Sequence, residues 1–184
     1  MSSRQIQIAL AAVAAVAGIA FALQSDQDTA GGASTPEAAA SSPSERARAL
    51  AVLRGWDRQR AAAYAASDEA ALRGLYVTGS RSGKNDQQVL RAYAARGLRV
   101  VDMRTQILRI DIREHSAARL TLAVTDRLAS AVAVGEGVRT RLPRDAATAR
   151  IIELRRAGSR WLVVEVEIVA QPSAAAITSL TPES

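Results

Sequence analysis

The chain has 184 residues, of which 48% are hydrophobic and 23% charged, an ordinary globular balance with room for one domain. It has no cysteine and a single histidine, His115, which removes disulfide frameworks, thiolate zinc sites and cysteine nucleophiles and all but removes the serine-histidine-acid arrangement, leaving carboxylate or tyrosine chemistry. The net charge of +6 understates the basicity of the folded part, because Arg4 is the only basic residue before Arg46 while Asp26, Asp28, Glu37 and Glu183 lie in the flanks.

After a short cytoplasmic terminus, residues 1–5, the stretch from Ile6 to Leu23 reads IQIALAAVAAVAGIAFAL, with Gln7 its only strongly polar residue. Eighteen residues at about 1.5 Å each span roughly 27 Å of hydrocarbon, enough for one transmembrane helix. Arg4 precedes it and Asp26 and Asp28 follow, so the positive-inside preference places the amino terminus in the cytoplasm and the rest outside. Ala20, Phe21 and Ala22 form a small-x-small pattern, so the alternative is a signal sequence that is cleaved and a secreted product. Residues 24–43 are built from Ala, Ser, Gly, Thr, Pro and a few acids and read as a flexible linker; residues 171–184 read as a disordered tail.

The domain proper spans 44–170. From Ser44 and Glu45 to Ala66 a long helix is predicted, with Ala49, Leu50, Val52, Leu53, Trp56, Ala63 and Tyr64 in one broad apolar stripe. Ser67 reads as the N-cap of a short second helix, Asp68 to Leu75, and Asn85 as the cap of a third that runs to about Arg96 and stops at Gly97. Beyond Gly97 the apolar residues alternate, most cleanly at Leu120, Leu122, Val124 and Leu128, which is strand periodicity. Further strand segments follow the same reading at Leu98–Ile112, Ala129–Leu142, Thr148–Arg155 and Trp161–Val169, the last with Leu162, Val164, Val166 and Ile168 on one face. Short connections imply antiparallel neighbours, and helices followed by strands imply an α+β fold with three helices packed on one face of a curved antiparallel sheet.

That order of elements resembles the NTF2-like, or cystatin-like, superfamily over about Ser44 to Val169. The segments WDRQRAAAYAASDEAALRGLYVTGS at Trp56–Ser80, YAARGLRV at Tyr93–Val100 and RWLVVEVEI at Arg160–Ile168 are similar to membrane-anchored actinobacterial members, among them Mce-associated membrane proteins. The resemblance implies a conical pocket between the first helix and the sheet, in a superfamily that holds isomerases, dehydratases and cyclases as well as non-catalytic modules, so it does not choose a function.

Polar residues in an apolar phase are the pocket candidates. Asp126 shares the strand phase of Leu120, Leu122, Val124 and Leu128, so an unbent strand points it inward, where a raised pKa would suit a base; a bend, or an arginine that neutralises it, would remove that role. Arg60 and Asp57 fall in the buried stripe of the first helix, where the guanidinium requires a partner, and Asp57 or Asp126 could supply it. Tyr64, Tyr76 and Tyr93 could donate phenolic hydrogen bonds to a ligand or be core residues with a wet edge. His115 falls at a hairpin, as an exposed turn residue.

No residue is assigned a catalytic role, and no metal cluster, cofactor motif or phosphate loop is present. With only six aromatic residues among the basic ones, nucleic acid is not an expected partner. The expectation is a non-catalytic, membrane-tethered, extracytoplasmic domain whose partners are the membrane and an envelope protein or a second copy of the chain. The alternatives are a small-molecule-binding or isomerase-type pocket protein, and an electrostatic binder of anionic lipid or cell-wall polymer.

Overall fold

The computed structural model describes residues 42–169. The predicted transmembrane segment, most of the linker and the predicted tail lie outside them. None of the described helices is long and apolar enough to cross a membrane.

Helix α1 (Pro43–Ala66) opens one residue before the expected domain start, and for a local reason. Ser42 Oγ accepts from the Glu45 N–H at 3.2 Å while Glu45 Oε2 accepts from the Ser42 N–H at 2.9 Å, a reciprocal cap, and Pro43 sits at N1 where its missing N–H is not needed. The helix ends at Ser67, whose left-handed backbone (φ 53°) turns its N–H back onto the Ala63 and Tyr64 carbonyls. Ser67 is therefore the C-cap of α1 and not the N-cap of the next helix. Asp68 takes that place, accepting from the Ala71 N–H at 2.9 Å at the head of α2 (Glu69–Arg73).

Helix α3 (Arg81–Ala94) starts five residues earlier than the sequence suggests, with Ser80 and not Asn85 as its cap. Ser80 Oγ accepts from the Gly83 N–H at 3.0 Å, and the Glu165 carboxylate reaches across from the last strand to accept from the Arg81 and Ser82 N–H groups at 3.1 and 2.8 Å. The second half of that cap comes from 83 residues away, so a stretch that reads locally as loop is helical.

One antiparallel sheet follows, in the order β1-β2-β4-β5, from β1 (Arg99–His115), β2 (Arg119–Gly135), β3 (Val138–Arg141), β4 (Thr148–Ala157) and β5 (Arg160–Ile168). The first half of β2 pairs with β4 and its second half forms a hairpin with β3. The junction expected near Ala129 does not exist: β2 runs through it. Ala129 is an extra residue opposite the step from Arg104 to Thr105, so the inward phase passes from Leu128 to Ala131 without the strand ending. A second bulge at Val164 has the same effect on β5, and the inward residues there are Val163 and then Val166, not an unbroken Leu162-to-Ile168 set.

The inner face of the sheet and the helices enclose one core, with Leu53, Leu72, Leu122, Val124, Leu154 and Val163 essentially without solvent contact. Burying a side chain of this size contributes about 1.5–3 kcal/mol. Helix α1 lies along β1 and α3 lies against β5. The segment Leu75–Val77 adds a short parallel bridge to β5, through Val163 N–H to the Leu75 carbonyl at 3.0 Å and Val77 N–H to the Val163 carbonyl at 2.9 Å. The molecule is α+β, with helices packed on one face of an antiparallel sheet, as expected.

Candidate functional site

The space between α1 and the inner sheet face holds a cluster of polar side chains around Asp86, which lies in the second turn of α3. Arg60 donates from Nε to Asp86 Oδ2 at 2.7 Å and from Nη2 to Oδ1 at 2.5 Å, a two-pronged ion pair. Tyr64 donates its hydroxyl to Oδ1 at 2.6 Å and Tyr76 donates to Oδ2 at 2.8 Å. The carboxylate thus receives four charge-assisted or phenolic hydrogen bonds and is 9% exposed. Burial opposes its charge, but the Arg60 guanidinium and these donors outweigh it and hold the Asp86 carboxyl below its ordinary value.

The donors are fixed as firmly. Burial also works against the Arg60 charge, yet Asp86 holds that group protonated well above its ordinary range, and the guanidinium lies 5.0 Å from the Tyr64 ring centre and 5.9 Å from that of Trp56. Both phenols are pushed far up, first by burial and then by the carboxylate beside them. The Tyr76 ring stands edge-on to Trp56 at 5.7 Å, and the Trp56 indole N–H reaches the Leu75 carbonyl at 3.3 Å. Gly83 makes room: a Cβ there would fall 2.7 Å from Cγ of Tyr76. Among the described residues no buried side-chain nitrogen or oxygen lacks a hydrogen-bond partner.

Of the six candidates from the sequence, Arg60, Tyr64 and Tyr76 meet here. The partner of Arg60 is neither Asp57 nor Asp126 but Asp86, which sequence reasoning missed. A signal existed, since Asp86 stands four residues before Leu90 and seven before Tyr93 and so falls in the buried phase of α3. Starting that helix at Asn85 disguised Asp86 as a first-turn acid.

Asp126 does keep the inward phase, and an arginine neutralises it: Arg150 Nε donates to its Oδ1 at 2.8 Å, with 13% of the Asp126 side chain exposed. Asp57 is a half-buried carboxyl whose nearest donor, the Thr105 hydroxyl, is 3.5 Å away. Burial raises its pKa to about 6, the neighbouring Asp126 charge adds to the rise and Arg60 opposes it. Tyr93 lies two turns beyond Asp86, partly buried against the core, and burial raises its phenol. His115 is exposed at the end of β1. Among the described residues no group of three or more His, Cys, Asp or Glu could hold a metal ion.

The cavities described on the surface lie away from this cluster. One of about 190 Å³ opens on the outer face of the sheet beside Thr121, Glu153 and Val164. The other, about 320 Å³, lies at the β2-β3 end among Arg104, Ser130, Arg139 and Arg141.

No family model matches the chain, and no curated protein matches it. Solved structures similar to it include the intermembrane space region of the chloroplast protein ARC6, at 16% identity and TM-score 0.49, covering 68% of this chain and 97% of that one. Aln2 from a Streptomyces species matches at 13% identity and TM-score 0.46, over 70% of this chain and 92% of that one. A protein of unknown function with a cystatin-like fold from Nostoc punctiforme matches at 10% and 0.40, over 67% and 92%. Likeness this distant does not extend to what any of them does.

Proposed function

We propose that the chain is a membrane-tethered, extracytoplasmic NTF2-like domain of the Mce-associated, actinobacterial type that acts by binding, as an accessory module for an envelope protein or a second copy of itself. The observation that carries the reading is the Asp86 cage. In a pocket enzyme of this architecture the polar groups under α1 would be left open to a substrate; here Arg60, Tyr64 and Tyr76 are all engaged by one internal carboxylate, and Asp126 is engaged by Arg150. Residues so satisfied hold the helices on the sheet and leave the outer surface to do the binding. The anchor follows from Ile6–Leu23 and the charges around it.

The test is photo-crosslinking of the full chain in intact cells, with the reactive group placed in turn on the outer sheet face and on the solvent side of α1. Recovery of one envelope protein, or of the chain itself, from particular positions is the expected result. Repeated recovery of nothing specific would overturn the reading.

Asp57 favours a second reading, a small-molecule or isomerase-type pocket. It is the one carboxylate among the candidates not held by an arginine hydrogen bond, and a carboxyl raised to about 6 is suited to accept a proton at neutral pH. A rise in Tm with apolar ligands of steroid or polyketide size, abolished by Asp57→Asn, would establish it; no such shift is expected.

A further inference from the structure

The groove at the β2-β3 end of the sheet is built differently from the rest of the surface. Val101 pairs with Val132 and Arg104 with Ser130, so β1 carries an extra residue there, with Asp102 in a left-handed conformation (φ 54°). The bulge turns Met103 inward, where its sulfur meets Arg60 Nη1 at 3.7 Å, and leaves Arg104 on the outer face. Arg141 is opposite Val132 and Arg139 opposite Val134, so both emerge on that same face. Arg144 reaches the groove from the loop behind Pro143, which is tied to β2 through Leu142 N–H to the Ala131 carbonyl at 2.9 Å and Asp145 N–H to the Leu128 carbonyl at 3.3 Å.

The result is a cavity of about 320 Å³ lined by four arginines together with the apolar Ala129, Val132 and Leu142. The single carboxylate in the lining, Asp102, holds Arg139 at 3.6 Å. Among the described residues Arg104, Arg141 and Arg144 have no acidic side chain within 4.0 Å. Two bulges and a tied loop therefore collect like charges in one concavity, where they repel one another until an anion enters. Guanidinium groups in this arrangement match phosphate oxygens in pairs, and the volume lies at the small end of the range for ligand sites.

We propose that this groove binds a phosphate-bearing anion of the diphosphate class, either free or as the headgroup of a lipid. The inference rests on the binding-module reading and names a ligand for it.

The test is calorimetric titration of the full chain in detergent with inorganic pyrophosphate at 0.1 M salt, beside the variants Arg104→Gln/Arg141→Gln and Arg48→Gln/Arg54→Gln. The second pair removes the same charge from exposed positions on α1. Saturable binding that weakens at least tenfold in the groove variant and less than twofold in the α1 variant is expected. No saturation up to millimolar pyrophosphate, or equal weakening in both variants, overturns the proposal. Vesicles of phosphatidylcholine with and without a prenyl diphosphate lipid separate the sources: binding to the diphosphate-bearing vesicles that pyrophosphate displaces assigns the site to headgroups, and binding of pyrophosphate alone assigns it to a free anion. A parent chain that gives specific cellular crosslinks but binds no pyrophosphate removes the groove proposal and leaves the accessory reading standing; a parent chain that binds pyrophosphate but gives no specific crosslink does the reverse.

Discussion

Removing the Asp86 side chain as Asp86→Ala strips the acceptor from one arginine and two tyrosines at once. Breaking a buried pair by deleting one partner costs about 3–5 kcal/mol, against a total of about 5–15 for a domain, so this variant should unfold at far lower urea than the parent, or not fold. The cage is replaceable as a whole, because an apolar set of similar volume has no charge to satisfy. Arg60→Met/Tyr64→Phe/Tyr76→Phe/Asp86→Leu should recover most of the loss, and a quadruple variant no more stable than Asp86→Ala would show that something besides polar satisfaction is at work. Asp57 behaves in the opposite way. Between pH 3.8 and about 6 the folded carboxyl keeps a proton that the unfolded one has released, so stability falls as pH rises through that window and stays lowered above it. Asp57→Asn should therefore raise the unfolding free energy at pH 7.5 by about 1–2 kcal/mol, after discounting for partial exposure, and have no effect below about pH 3.8. Equal stabilisation at both ends of the range would refute the assignment. Asp86, whose carboxyl is lowered, contributes stability that is complete above pH 3.8 and is lost as the pH falls below it.

Helix α3 is held in place by what it lacks as much as by what it carries. Alanine is a better helix former than glycine by about 1 kcal/mol, but a Cβ at Gly83 would meet Cγ and Cβ of Tyr76 at 2.7 and 2.8 Å. Gly83→Ala should thus destabilise by about 1–3 kcal/mol through the displaced ring and its weakened bond to Asp86. In a Tyr76→Ala background the obstacle is gone, and the same change should become stabilising; a sign that does not reverse between the two backgrounds would show that the ring is not the cause. The same scale shows what could be read from the sequence. Helices before Gly97 and strands after it were legible, because 3.6-residue and two-residue periods differ plainly over ten positions or more. The start of α3 was not, since Glu165 supplies half of its cap from the last strand. The continuity of β2 and the inward face of β5 were missed for a single reason: one extra residue at Ala129 and at Val164 moves the apolar set to the other parity, which in a sequence looks like an ending or goes unnoticed. In the candidate site, the inward phase of Asp126 and the need of Arg60 for a partner were legible, but the identity of that partner depended on where a distant carboxylate let a helix begin.

At the scale of the whole chain the accessory reading depends on orientation. Arg104, Arg141 and Arg144 of the groove can meet an envelope ligand only if the domain lies on the outer side, and the charges flanking Ile6–Leu23 are what predict that it does. The absence of cysteine makes this directly measurable, because a single introduced thiol is the only one present. In intact cells Ser44→Cys, at an exposed position in the first turn of α1, should react with a membrane-impermeant maleimide, while Ser2→Cys should react only after permeabilisation, with both variants in the membrane fraction. Labelled Ser44→Cys protein in the medium would mean that the hydrophobic segment is a cleaved signal, which removes the tether but keeps the domain outside. Ser44→Cys that stays protected until the membrane is opened would reverse the topology and remove the envelope from the account, because a basic groove on the inner side would face a different set of anions.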